Sequence, residues 1–205
     1  EVMDDLRREI SLRRDWRVAK QLEVMLKKLR PDVFHTHSSK AGIIGRQVAW
    51  KLGGMKIVHT IHGLAFHRYE KWWRNRVYIG LERAAARRTD AIISVADAMT
   101  AQALAAGIGK PEQYTTIYSG MEVASFIRRP DETDEVRAAL RLPKNAVVVT
   151  QISRLAELKG HEFIIKVARE IPNERVCFLF VGDGRLRRQI EATIASLDLA
   201  GRFRL

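Results

Sequence analysis

The sequence predicts an α/β protein built from two consecutive domains, each with a parallel β-sheet. Short apolar runs typical of buried strands alternate with longer segments that have the apolar spacing of helices. The alternation stops over residues 121–145, a stretch rich in charge that contains two prolines, and then starts again. Because parallel strands need crossover connections, usually helices, repeated strand–helix units indicate parallel sheets.

The first domain, residues 1–120, opens on a helix. Residues 3–30 are rich in Leu, Arg, Lys and Glu, with Leu22, Met25, Leu26 and Leu29 forming one apolar stripe, and Pro31 ends the helix. Since no strand precedes this helix, we expect the first strand of the domain to be missing. The pattern then predicts strands at 32–35, 56–60, 91–95 and 114–118, and helices at 41–52, 71–87 and 97–106.

Residues 121–145 are predicted to be a linker with a short helix at 135–140. The second domain, residues 146–205, begins with the apolar run 146–152, as expected of a strand covered on both faces. The remaining elements are strands at 175–181 and 203–205 and helices at 160–169 and 185–197. The sequence stops at the start of a strand, so we expect two Rossmann-like domains, both incomplete, in a piece of a longer protein.

Cysteine content and charge restrict the class of protein. The one cysteine, Cys177, sits in an apolar run and is predicted to be a buried thiol, so no internal disulfide can form. Together with the lack of a signal peptide or a bilayer-length apolar stretch, this favours the cytoplasm. The chain has 36 Lys and Arg against 24 Asp and Glu, a net charge of +12. This charge suits nucleic acid, anionic lipid or phosphorylated substrates, and equally a solvated surface.

Two loops at predicted strand ends in the second domain have the composition of a phosphate site. Arg154 and Lys159 lie between a strand and a helix that starts at Gly160, where open α/β sheets bind ligands. A helix N-terminus with a forked guanidinium and an ammonium suits a diphosphate. Two solvated cations are the alternative. The turn Gly182-Asp183-Gly184 allows close ligand approach, although the pattern alone favours a purely structural turn with Asp183 as a helix cap.

Histidines mark the strand ends of the first domain. His62 falls in a loop, where an imidazole can hydrogen-bond a sugar hydroxyl or a phosphate, and a capping or core histidine is the alternative. His35 and His59 fall within strands and are predicted to be core or strand-end residues. The loop residues His37, Ser38, Ser39 and Lys40 are candidates for acceptor contact. With neither a helical histidine pair nor a cysteine cluster, we predict no metal site.

Residues 66–88 interleave aromatic side chains with arginines. This composition suits an anionic membrane surface, nucleic-acid stacking, or a helix that packs by its aromatic side chains. The order of motifs at strand ends argues against a nucleic-acid partner.

These motifs together resemble glycosyltransferase family 4, whose members are retaining enzymes of the GT-B fold. The resemblance rests on five segments in the family's order, namely His35-Thr36-His37-Ser38-Ser39-Lys40-Ala41-Gly42 with Gly45-Arg46, His59-Thr60-Ile61-His62-Gly63, Tyr118 to Val123 with Phe126, Arg154 with Lys159-Gly160, and Val181-Gly182-Asp183-Gly184 with Leu186. In the third segment Ser119 and Glu122 replace the family's Asn and Asp.

The resemblance implies transfer of a sugar from a nucleotide-diphospho-sugar with retained configuration. Arg154 and Lys159 would stabilise the leaving diphosphate in place of a metal, so the family implies no cofactor, and His62 would contact the donor sugar or the reacting centre. Gly160 and the Gly182-Asp183-Gly184 turn would help to bind the donor. The acceptor would be a saccharide or a lipid-linked sugar of a surface-polysaccharide pathway, which fits a basic protein peripheral to the inner membrane face.

The sequence also departs from the family. The glycine-rich first strand and loop are absent, and so is the Glu-x7-Glu motif of the second domain, so we expect this piece alone to have reduced or no activity. Two other functions stay open at this point, a sugar-nucleotide 2-epimerase of the same fold and a non-catalytic module that binds nucleotide sugars or polyanions.

Overall fold

A computed structural model describes residues 3–7, 9–127, 133–171, 173 and 175–205. The chain divides into two compact units, Glu1–Met121 and Glu122–Leu205. Within the predicted linker, residues 128–132 and the side chain of Phe126 lie outside the described residues.

The first unit contains a parallel sheet of four strands in the order β1-β2-β3-β4. Helices connect successive strands. Because the strands are parallel, the carboxyl ends of all four lie at one edge of the sheet. The elements are α1 (Leu12–Leu29), β1 (Val33–His37), α2 (Ser39–Leu52), β2 (Lys56–Ile61), α3 (Trp72–Ala86), β3 (Ala91–Ser94), α4 (Asp97–Ala105) and β4 (Tyr114–Thr116).

The second unit contains a parallel sheet of three strands in the order β5-β6-β7. Its core lies where α6 and α7 pack on β6 and β7, around Phe178, Phe180 and Phe203. The elements are α5 (Thr133–Ala139), β5 (Val147–Ile152), α6 (His161–Glu170), β6 (Val176–Val181), α7 (Arg187–Ser196) and β7 (Phe203–Arg204).

The first helix is shorter than the sequence predicts, because it begins at Leu12 rather than near residue 3. The Asp15 carboxylate accepts a hydrogen bond of 3.2 Å from the backbone N–H of Ser11, and this side chain satisfies a donor at the start of the helix. Leu22 and Leu26 of the predicted apolar stripe are buried against α2, whereas Leu29 is exposed. The stripe is therefore narrower than expected.

The prediction that β5 is covered on both faces was wrong. Val147 and Val149 are exposed, and Ile152 is 78% exposed. The reason is topological, since β5 is at the edge of its sheet and β6 is in the middle. The run from Cys177 to Phe180 in β6 is buried, and this confirms the prediction of a buried thiol at Cys177.

Candidate active site

In the second unit, the loops after β5 and β6 continue the pairing of their strands. The amide of Ser153 donates to the carbonyl of Val181 at 3.0 Å, and the amide of Leu155 donates to the carbonyl of Asp183 at 3.0 Å. Arg154 lies between these two hydrogen bonds. The structure therefore brings together the Arg154 loop and the Gly182-Asp183-Gly184 turn, which are separate in sequence.

The two glycines of the turn permit this close approach. A Cβ on Gly182 would lie 2.1 Å from the carbonyl oxygen of Ser153, and one on Gly184 would lie 2.3 Å from that of Leu155. Gly182 also has a φ of 148°, a backbone conformation that residues other than glycine rarely adopt. The Asp183 carboxylate accepts from the amide of Gly184 at 2.8 Å and stays exposed. The sequence pattern favoured a structural role for this turn. The close approach of the two loops shows that it has one, because only glycine fits at positions 182 and 184.

The two cations of the loop are free to bind an anion. Arg154 and Lys159 are exposed, and within the described part of the chain their side chains make no hydrogen bond or ion pair. The backbone around Lys159 is fixed, because the Gln151 amide group donates to its carbonyl at 2.5 Å. Helix α6 starts two residues later at His161, so its first N–H groups open at the same loop. The positive charges of Arg154 and Lys159 and the free backbone N–H groups of α6 therefore lie at the same loop.

Sequence reasoning missed a hydrogen bond that closes this loop. The Ser153 hydroxyl lies 3.3 Å from Nε2 of His161, so the two ends of the loop are tied together. The His161 ring is buried and packs edge-on against Phe180 at 5.1 Å. Burial lowers the pKa of His161 below its ordinary value, which favours the neutral ring.

In the first unit, the register of β1 and β2 brings three histidines together at the carboxyl edge of the sheet. Nδ1 of His37 lies 3.0 Å from Nε2 of His62, and the rings stack at 5.2 Å. The His35 ring lies 4.4 Å from that of His37, and its Nε2 lies 2.8 Å from the Thr60 hydroxyl. His35 is exposed rather than part of the core. Partial burial, followed by the charges of His37 and His62, lowers the pKa of His35.

The predicted acceptor-side residues separate into two groups. Ser38 and Ser39 line a small pocket with His62, whereas Lys40 does not. Its ammonium contacts the carboxylate of Asp15 at 2.6 Å and the carbonyl oxygens of Arg7 and Glu9 at 2.8 and 2.5 Å. These contacts use all three donors of Lys40. Lys40 therefore fastens the N-terminal segment to the start of α2.

The backbone of Ser38 is strained. Its φ of 65° and ψ of 151° fall in a region that residues other than glycine rarely adopt. This conformation makes the sharp turn from β1 into α2, with Ser39 and Lys40 already in the first helical turn rather than in the predicted loop. The pocket beside Ser38 has a volume of about 10 Å³, which is room for about one water molecule.

A buried polar network supports this pocket, and almost nothing in the sequence pattern predicts it. Arg46 is fully buried, and its guanidinium contacts the Glu82 carboxylate at 2.7 Å and the Gly42 carbonyl at 3.0 Å. Next to it, His59 is 2% exposed, and its Nδ1 lies 2.9 Å from the Thr36 hydroxyl. The prediction of His59 as a core residue is confirmed. The signal for the ion pair was Arg46 itself, a charged residue at an apolar position of α2.

Replacing Glu82 with alanine should destabilise the first unit strongly. The change leaves the Arg46 charge buried without its partner, which typically costs about 3–5 kcal/mol. Urea unfolding followed by circular dichroism would measure the loss. Glu23→Ala is the control, because Glu23 pairs with Lys20 and Lys27 on the solvated surface of α1. Equal stability of the two variants would contradict the buried pair.

The stability of the first unit should fall as the pH drops from about 6.5 towards 3. Burial, and next the charge of Arg46, lower the pKa of His59 to about 3 in the folded protein, against roughly 6.5 when unfolded. Below pH 6.5 the unfolded chain therefore takes up a proton that the folded protein does not. Unfolding free energies measured at several pH values should show this slope, and His59→Gln should reduce it. An unchanged slope in the variant would refute the assignment.

The predicted basic and aromatic helix is α3, and its start is exposed. Trp72 is 73% exposed and Trp73 is about half exposed, near Arg68, Arg74 and Tyr69. In the part of the chain that the structure describes, no helix is both long and apolar enough to cross a bilayer. The same residues contain no group of three or more His, Cys, Asp and Glu side chains placed to hold a metal ion.

The chain is similar to known glycosyltransferases in sequence. It is 31% identical over 188 residues to an Escherichia coli UDP-Gal:alpha-D-GlcNAc-diphosphoundecaprenol alpha-1,3-galactosyltransferase, covering 90% of this chain and 49% of that protein. It is 28% identical over 168 residues to a D-inositol 3-phosphate glycosyltransferase of Catenulispora acidiphila, covering 74% of this chain and 38% of that protein. The chain thus spans half or less of the length of these relatives.

A solved structure confirms the α/β fold with parallel sheets. That of Anabaena Alr3699/HepE in complex with UDP and glucose superposes with a TM-score of 0.73 at 22% identity, covering 93% of this chain and 50% of that one. The profile of Glycosyltransferase Family 4 matches residues 5–125, which include the histidine cluster, Ser38 and the buried Arg46–Glu82 pair. With that match and the E. coli relative, the chain belongs to glycosyltransferase family 4.

Proposed function

We propose that the whole protein transfers a hexosyl unit from a nucleotide-diphospho-sugar to a lipid-linked saccharide, with retention of configuration. Exposed Arg154 and Lys159 at the start of α6, backed by the close-packed Gly182-Asp183-Gly184 turn, carry the proposal. A glycosyl transfer leaves negative charge on the departing diphosphate. Preorganised cations and N–H groups stabilise such charge more in the transition state than in the bound substrate.

Arg154 and Lys159 have different parts in this site. The planar guanidinium of Arg154 can donate two hydrogen bonds to neighbouring phosphate oxygens, whereas Lys159 acts as a compact point charge. The first N–H groups of α6 add the partial positive charge of a helix N-terminus. Gly160 precedes the helix with a φ of 79°, and Gly182 and Gly184 hold the neighbouring loop in place. Asp183 is exposed and can accept hydrogen bonds from the nucleotide sugar.

We assign His62 a hydrogen-bonding role towards the sugar or the acceptor. Its Nε2 lies 3.0 Å from Nδ1 of His37, so one ring nitrogen donates and the other accepts. This contact fixes the ring and leaves Nδ1 of His62 for a ligand. Ser38 and Ser39 border the same pocket and could supply hydroxyl groups to the acceptor.

The lipid-linked acceptor rests on the relative and on the surface of the first unit. The E. coli protein acts, by its name, on a diphosphoundecaprenol-linked sugar. In this chain, exposed Trp72 and Trp73 stand beside Arg74 at the start of α3, an arrangement typical of a membrane interface. The net charge of +12 would attract anionic headgroups. The protein would then work at the cytoplasmic face of the inner membrane.

Calorimetry with UDP, GDP and ADP on the whole protein tests the donor site. One nucleoside diphosphate should bind, and Arg154→Ala should weaken it at least tenfold. Arg169→Ala is the matched control, because Arg169 is also exposed and lies at the other end of α6. Binding that is equal in both variants, or absent for all three nucleotides, would refute the donor site.

A further inference from the structure

The loop that joins β5 to α6, residues 153–160, carries both candidate cations on a backbone that is unfavourable by itself. Leu158 has a φ of 65° and Gly160 a φ of 79°, so both neighbours of Lys159 adopt the left-handed conformation. For Leu158 this conformation is strained, because its Cβ crowds the following carbonyl oxygen. Such a backbone persists only where surrounding contacts hold it. The position of Lys159 therefore depends on the contacts that fasten this loop.

One side-chain contact joins the two ends of the loop. The Ser153 hydroxyl, directly before Arg154, lies 3.3 Å from Nε2 of His161, two residues after Lys159. Because the partners are eight positions apart, the contact closes a ring of chain that contains both cations. The Gln151 side chain adds a second tie, since it donates to the Lys159 carbonyl at 2.5 Å.

Both partners of the closing contact are anchored independently of the loop between them. The His161 ring is 3% exposed and packs edge-on against Phe180 of β6 at 5.1 Å. On the other side, the amide of Ser153 donates to the carbonyl of Val181 at 3.0 Å. A hydrogen bond between two fixed groups can therefore set the conformation of the chain that connects them.

Packing alone does not explain a histidine at this position. An apolar side chain could fill the space beside Phe180, whereas an imidazole in the core costs free energy unless its polar atoms are hydrogen-bonded. The polar partner of His161 is Ser153, the residue next to Arg154. This buried polar contact is therefore directed at the loop that carries the cations.

We propose that Ser153 and His161 are positioning residues, which hold Arg154 and Lys159 at the spacing that a diphosphate requires. His161 is buried and acts through the loop. A loop that is ordered before the ligand arrives spares the ligand the cost of ordering it. The inference rests on the proposed function, because the diphosphate of the donor is the ligand that the two cations would share.

Ser153→Ala tests the contact with little disturbance, because it removes one hydroxyl and keeps the backbone bond to Val181. Calorimetry on the whole protein with UDP, GDP and ADP should show about fivefold weaker binding of the nucleotide that the parent binds, the effect of one lost hydrogen bond. Ser196→Ala is the matched control and should bind like the parent. It removes a hydroxyl that donates to the Thr193 carbonyl at 2.9 Å, at the far end of α7.

Two changes at His161 separate positioning from packing. His161→Gln should bind close to the parent, because the glutamine amide nitrogen can replace Nε2 of the ring as partner of Ser153. His161→Leu keeps an apolar side chain in the core and should bind as weakly as Ser153→Ala. Amide hydrogen exchange without nucleotide should be faster over residues 154–160 in His161→Leu and Ser153→Ala, and unchanged in His161→Gln.

Three outcomes would overturn the inference. Normal affinity in Ser153→Ala would overturn it, whatever the exchange rates, and leave the donor site standing. Equal or tighter binding by His161→Leu than by His161→Gln would assign His161 to core packing. Failure of UDP, GDP and ADP to bind the parent would remove the donor site and this inference together, so the two failures are distinguishable.

Discussion

Replacing Arg154 with alanine should lower kcat of the whole enzyme by about 10²–10³-fold, the loss expected when one preorganised donor to a developing anion is removed. The guanidinium is exposed and unpaired among the described residues, so its removal leaves the fold intact. In the proposed reaction its positive charge would matter most when the diphosphate departs, and the effect should therefore fall on kcat more than on the KM for the donor. Steady-state kinetics with saturating acceptor would measure both.

Lys159→Ala should cause a loss of similar size, and Arg154→Lys should recover only part of the activity. Lysine restores the charge without the two-pronged hydrogen bond. Arg169→Ala should keep normal turnover, which shows that the effect depends on position in the loop and not on net charge. Near-normal turnover in both Arg154→Ala and Lys159→Ala would sink the assignment of the leaving-group site.

The fold could be predicted from the sequence because its signals are local. Apolar runs and helix-ending residues such as Pro31 and Gly53 act within a few positions, and the order of strands and helices agrees with the structure. The exposure of β5 could not be predicted, because it depends on the order of strands in the sheet rather than on the apolar run itself. The start of α1 at Leu12 depends on contacts of Asp15 and Lys40.

The candidate site was partly predictable for a related reason. The sequence placed the motifs of Arg154, Gly182, His37 and His62 at separate strand ends, and because parallel sheets bring strand ends to one edge, the structure brings them together in pairs. Hydrogen bonds and ion pairs between side chains far apart in the sequence could not be predicted, because they follow no sequence pattern. Arg46 and Glu82 are 36 residues apart, and the polar contacts of Lys40 involve carbonyl groups that no motif reveals.

Gly184→Ala should destabilise the second unit by about 2–5 kcal/mol, near the upper end for a single substitution. The new Cβ would lie 2.3 Å from the Leu155 carbonyl oxygen and 2.8 Å from its carbon. Both are backbone atoms, so no side chain can turn away to make room. The same carbonyl accepts from the Leu186 amide at 3.0 Å, and moving it would break that bond. Urea unfolding of the chain, followed by circular dichroism, would give the difference.

Gly201→Ala is the matched control, because a Cβ on Gly201 meets nothing within 4 Å. It makes the same chemical change in the same unit and should leave stability nearly unchanged. Gly184→Ala should also weaken binding of the nucleoside diphosphate, since the displaced Leu155 is next to Arg154 in the loop. If Gly184→Ala were as stable as Gly201→Ala and bound the nucleotide normally, the two loops would not be packed as described. A destabilised variant that still bound normally would instead separate the packing of the turn from the placement of Arg154.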